Sequence, residues 1–122
     1  MKPTAQSDRI LLEHMLECIA RIREYAGADR IRFFGSRLIQ DAVIRNLQVM
    51  AESSQRLGEG VKAQASSIAW SKVAGMRNIL VHQYLGGIDL ETVWSVVERD
   101  LDLLADALER LRGHLDQGSN GV

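Results

Sequence analysis

The chain has a single proline, Pro3, at the third of 122 positions. No later residue therefore lacks the backbone N–H that a helix interior needs, and helices can run uninterrupted through the body of the chain. It has one cysteine, Cys18, which excludes an internal disulfide, and no Cys/His cluster of the kind that holds zinc. Cys18 falls in an apolar helical pattern and is read as a small buried hydrophobe. Aromatic residues are only 5% of the total. No apolar run approaches the ~20 residues of a membrane span. The start of the chain is polar through Arg9 and lacks the apolar stretch of a signal peptide. These features lead to the expectation of a cytoplasmic protein with no membrane contact.

A large excess of charge is also missing. The formal net charge is −1, too little for the whole surface to act as a general nucleic-acid binder. The distribution is uneven, however. Residues 1–84 carry 12 Lys/Arg against 8 Asp/Glu, and residues 85–122 carry 3 against 8. The first portion is thus the positive one, and it permits a phosphate-bearing ligand.

What is present is amphipathic helix. Ser7-Asp8 offers an N-cap and an acidic first turn, after which Leu11, Met15, Cys18, Ile22 and Tyr25 recur at helical spacing until Gly27. Residues 29–34 allow a short helical turn with Ile31, Phe33 and Phe34 packed inward. Gly35-Ser36 opens a second long helix whose apolar face is Ile39, Val43, Leu47, Met50 and Leu57. Ala42, Ala51 and Ser54 are small enough for close helix approach. Residues 58–67, with Gly58 and Gly60, read as a flexible connection. A third helix is expected from about Ser67 to Tyr84, ended by Gly86-Gly87.

Asp89 caps the last helix. There Leu90, Val97, Leu104 and Leu111 recur every seven residues, as do Trp94, Leu101, Leu108 and Leu115, a two-lane seam for a neighbouring helix. The pattern predicts an all-α fold, an antiparallel up-and-down bundle of four long helices plus a short one, with no strand. A single domain over residues 1–115 and a disordered tail over 116–122 are expected. A hairpin pair that completes its core only as a dimer is the alternative.

The chemistry concentrates in Met76-Arg77-Asn78-Ile79-Leu80-Val81-His82-Gln83-Tyr84. Each helical residue turns about 100°, so Asn78 and His82 share a face, as do Arg77 and Tyr84, while Arg77 and His82 stand about 140° apart. Either the helix loosens at its glycine end, or a second copy across a two-fold axis brings one subunit's histidine toward the other's arginine. Such a set could cleave RNA. Histidine would deprotonate the ribose 2′-hydroxyl, arginine would stabilise phosphate charge, and asparagine would orient the histidine or donate to an oxyanion. No acidic cluster accompanies them, which points away from a metal-ion mechanism, and no cofactor is expected. The competing reading makes Arg77 a surface ion-pair partner, His82 an interior histidine and Tyr84 a rim contact. His14 and His114 are given no functional role, and Trp70 and Trp94 are read as core or interface packing residues.

The run Trp70-Ser-Lys-Val-Ala-Gly-Met-Arg-Asn-Ile-Leu-Val-His-Gln-Tyr84, followed by Ile88-Asp89-Leu-Glu-Thr-Val-Trp94, resembles the HepT-like branch of the HEPN superfamily. The stretch Asp41-Ala-Val-Ile-Arg-Asn-Leu, with Ala51-Glu52-Ser53 behind it, resembles that family's second helix. The likeness spans roughly residues 7–112. It implies a dimerising helical bundle with active sites near the interface. It also implies a metal-independent ribonuclease acting as the toxin of a toxin–antitoxin pair, whose partner is a nucleotidyltransferase-fold antitoxin. By carry-over, Arg77 and His82 are catalytic and Asn78 supports them. Tyr84 is the tyrosine to which the antitoxin can transfer AMP, which would block the RNA path by bulk and charge. Family members often have a proline where this chain has Ala69, a glycine at Ala51 and an alanine at Ser53. These departures bear on helix starts and packing. Glu52 is a candidate for the rim of the site, and the preferred reading makes it a helix-surface or salt-bridge carboxylate. The rival to the enzyme is a non-catalytic nucleotide-binding or partner-docking module of the same fold. An antitoxin role is disfavoured because no nucleotidyltransferase motif is visible.

Overall fold

The computed structural model describes residues 4–77 and 89–120. Among them every regular element is helical, and the expected all-α bundle is what is found. The elements are α1 (Ala5–Ala26), α2 (Arg30–Phe34), α3 (Arg37–Arg56), α4 (Glu59–Ala63), α5 (described over 70–77), α6 (Leu90–Ser95) and α7 (Leu101–Asn120). A π-helical turn, Val96–Asp100, joins α6 to α7, so the chain is helical without a break from 90 to 120.

Side-chain caps set most starts. The Thr4 hydroxyl accepts from the Ser7 N–H, and the Ser7 hydroxyl accepts from the Thr4 N–H, a reciprocal box that begins α1 three residues before the expected Ser7-Asp8. Asp29, Ser36 and Asp89 cap α2, α3 and α6 with side-chain oxygens that accept from first-turn N–H groups. Gly27, at φ 58°, supplies the left-handed turn that ends α1.

The core lies where α1 packs on α3 and α7. Leu12, Met15, Ile19 and Ile22 of α1 meet Val43, Leu47 and Met50 of α3 and Leu101, Leu104, Leu108 and Leu111 of α7, all buried. Both lanes of the seven-residue seam face inward from Trp94 to Leu111, and Leu90 and Leu115 pack partly buried at its ends. Cross-links show α1 antiparallel to both partners. Asp8 meets Gly58 and His14 meets Ser53 on the α3 side, while Arg9 meets Asp116 and Arg23 meets Asp102 on the α7 side. Cys18 is buried as expected, and burial pushes its thiol up from the ordinary value, so it stays protonated and inert at neutral pH.

Asp8 is the polar pin of this packing. It is buried, and its carboxylate accepts the Gly58 N–H at 2.9 Å. Asp8→Ala leaves that donor without its partner and is expected to cost about 1–3 kcal/mol, read as a lower urea midpoint with an unchanged slope. A loss below about 0.5 kcal/mol would show that solvent satisfies Gly58 equally well.

Four local expectations change. Ile31 is 85% exposed, since α2 turns only Phe33 fully inward. The connection after α3 contains α4, which buries Val61. Its exit is tied by Trp70, whose indole N–H lies 3.1 Å from both the Lys62 and Ala65 carbonyls. Those bonds make Trp70 the first helical residue of α5, rather than a residue near Ser67. Finally, α7 continues to Asn120, past the expected tail boundary at 116. Gly113 does not stop it, because Leu115 still packs on the core and Asp116 pairs with Arg9 at 2.9 Å.

Candidate active site

Arg77 is the one residue of the Arg-Asn-His-Tyr set that the described structure places. Asn78, His82 and Tyr84 lie outside the described residues. Arg77 closes the described part of α5, with its side chain 48% exposed. Its Nε stands 3.1 Å from Oε1 of Glu52 on α3. Trp70 lies beside Lys62 and Ala65, beyond the end of α3, whereas Arg77 reaches back to Glu52. α5 therefore runs antiparallel to α3, as an up-and-down bundle requires.

The local sequence explains why this carboxylate is so placed. Met50, Ala51, Ser53 and Ser54 are buried around Glu52, which alone in that stretch is exposed. The Ser54 hydroxyl turns back to the Ala51 carbonyl at 2.7 Å, which spares a buried polar group without enlarging the helix. The Ser53 hydroxyl stands 3.5 Å from Nδ1 of His14, at the limit of a hydrogen bond, and links α3 to α1. Glu52 thus projects from a segment held on both sides. The sequence predicted a salt-bridge carboxylate here but not its partner, because a contact across 25 positions leaves no periodic trace. The His14–Ser53 contact was missed for the same reason.

A groove of about 700 Å³ lies between residues 67–76 and the rod from Thr92 to Leu104, and neither Arg77 nor Glu52 lines it. Leu47, Ile68, Val73, Met76, Val96 and Leu104 give it a mainly apolar lining, with Lys72 and Asp100 adding charge. The π-helical turn supplies Val96 and Asp100 to it. No proline or glycine lies within that turn, so nothing in the sequence announced it. Among the described residues, no group of three or more His, Cys, Asp or Glu converges as a metal site would need.

A helical bundle that carries a guanidinium at its surface, with one edge of that guanidinium held by a carboxylate, presents a cation to an incoming anion. The protein is α-helical, with the Arg77 guanidinium exposed beside Glu52. Residues 15–111 match the family described as Ribonuclease HepT-like, and the chain belongs to that family.

Relatives agree. It is 35% identical, over 92% of its length, to a Methanocaldococcus jannaschii protein named for a gamma-glutamylcyclotransferase and a proposed RNase, of which it covers 50%. It is 32% identical over 88% of its length to a probable ribonuclease HepT of Thermococcus cleftensis, covering 97% of that protein. A second proposed RNase of M. jannaschii is 31% identical over 83% of this chain and 93% of its own. The chain therefore spans half of the first relative and nearly all of the other two. No solved structure matches it.

Proposed function

We propose that this chain is a metal-independent ribonuclease, the toxin of a toxin–antitoxin pair, with Arg77 and His82 as its catalytic residues. The observation that carries the reading is the exposed, carboxylate-steered guanidinium of Arg77 inside the span that matches the ribonuclease family.

The reaction follows from the residue types. His82 accepts the proton of a ribose 2′-hydroxyl, and the 2′-oxygen attacks the adjacent phosphorus. The bond from phosphorus to the 5′-oxygen breaks, that oxygen leaves with a proton drawn from water, and His82 returns its proton to solvent. Arg77 stabilises the charge that builds on the non-bridging oxygens, and Asn78 orients His82. DNA lacks the attacking hydroxyl and is not cut.

Helical geometry sets Arg77 and His82 about 140° apart on one straight helix, which supports a site completed by a second copy in a homodimer. In this reading a nucleotidyltransferase-fold antitoxin neutralises the toxin by transferring AMP to Tyr84. The added phosphate repels the RNA backbone and the adenosine fills its path.

Cleavage, growth and intact-mass measurements test this. In excess chelator, the purified protein should cut a single-stranded RNA and leave the DNA of the same sequence intact. Expressed alone it should arrest growth. Co-expression with an adjacent nucleotidyltransferase gene should restore growth and add one or more AMP units to the intact mass. Harmless expression with tight partner binding and no RNA cleavage would instead identify a docking module.

A further inference from the structure

We propose that Glu52 is the positioning residue of the active site, restraining the Arg77 guanidinium through an ion pair at Nε so that its terminal nitrogens are left to meet the RNA phosphate. The proposal rests on the reading of Arg77 as the phosphate-binding cation. The ion pair engages Nε, at 3.1 Å from Oε1. Among the described residues Glu52 is the ion-pair partner of Arg77. One N–H from each terminal nitrogen forms the end fork of the guanidinium, a different edge from that of Nε, and this fork matches two phosphate oxygens.

The two ends of the pair differ in how firmly they are held. Arg77 is a long side chain with many rotamers, 48% exposed at the end of the described helix. Glu52 is 50% exposed at its tip, but its backbone belongs to a run in which Met50, Ala51, Ser53 and Ser54 are buried against the rest of the bundle. The carboxylate is thus the fixed end and the guanidinium the steered one. Steering matters most when charge develops, because a fork already aligned with the phosphate needs no reorganisation at that moment.

A carboxylate beside an RNA path also has an opposing effect, since its charge repels the phosphates. If repulsion dominated, removing Glu52 would speed cleavage. If positioning dominates, removal slows the chemical step while attraction of RNA to the free arginine persists. The two accounts have opposite signs.

The experiment measures kcat and KM for cleavage of a short fluorescent RNA at fixed salt by the parent, Glu52→Ala, Glu52→Gln and Arg77→Ala, with the Tm of each. Glu52→Ala is expected to lower kcat about tenfold and leave KM within about twofold. Glu52→Gln should fall between Glu52→Ala and the parent, because its amide keeps a polar contact with the guanidinium but loses the charge. Both should keep a Tm within about 2 °C of the parent, since a half-exposed ion pair adds little stability. If Arg77→Ala is inactive but Glu52→Ala matches or exceeds the parent, or changes KM alone, the role given to Glu52 is overturned while the site stands. If Arg77→Ala cleaves as fast as the parent, the reading of the site itself has failed.

Discussion

Replacing His82 or Arg77 with alanine is expected to lower RNA cleavage by about 10²- to 10⁴-fold, the range over which a general acid–base group or a phosphate-binding cation contributes. The folded protein should survive either change. Arg77 is half exposed and its pairing with Glu52 is a surface contact, so Arg77→Ala should alter stability by no more than about 1 kcal/mol. The two losses should differ in kind. Without His82 the 2′-hydroxyl keeps its proton, and the rate should lose its dependence on a group titrating near neutral pH. Without Arg77 the base remains, so the pH profile should keep its shape at a lower level. Activity assays and pH–rate profiles on the two purified variants check both points. If the proposed dimer shares its site, mixing the two inactive variants should restore part of the activity, because some mixed sites carry an intact arginine and an intact histidine.

Phe33→Ala is expected to be the most damaging change to the fold, at about 3–5 kcal/mol of a total that for such domains is about 5–15 kcal/mol. Phe33 is fully buried, with its ring centroid 5.2 Å from that of Phe34, edge-on, and 5.2 Å from that of Trp94. α2 has only five residues, too few to hold together on helix propensity. It is held by this aromatic contact, by the Asp29 cap at 3.0 Å from the Arg32 N–H, and by Arg30, which lies 4.5 Å above the Phe34 ring and pairs with Glu91. Removing Phe33 opens a cavity against Trp94 at the start of the last helical rod. The urea midpoint should fall sharply and Trp94 emission should move toward that of a wetter indole. A loss under about 1 kcal/mol would mean that α2 re-packs or contributes little to the core.

Much of this architecture was legible because helical periodicity is a strong signal when proline is absent. The rows of α1, α3 and the last helix face the core, and Ser36 and Asp89 cap helices where the sequence placed them. The failures have local causes. Ile31 sits in a helix too short for its apolar pattern to choose a face, and Phe33 took the buried place. Thr4 extended α1 because its partner was a serine at the position where a capping box usually has Glu or Gln. The helix past 116 was hidden because its support, Arg9, is more than a hundred positions away in sequence. The site was legible differently. Residue types and the family resemblance pointed to Arg77, whereas the carboxylate paired with it became visible only when α5 was laid against α3.

The most direct test of the central claim is the chemistry at the cut ends. Attack by a 2′-oxygen on its own phosphate must leave a 2′,3′-cyclic phosphate on one fragment and a 5′-hydroxyl on the other. Mass spectrometry of a defined RNA oligonucleotide, cut by the purified protein in excess chelator, should show those ends with the parent and no cut product with His82→Ala. Fragments ending in 3′-hydroxyl and 5′-phosphate, or equal cleavage by His82→Ala, would contradict the account.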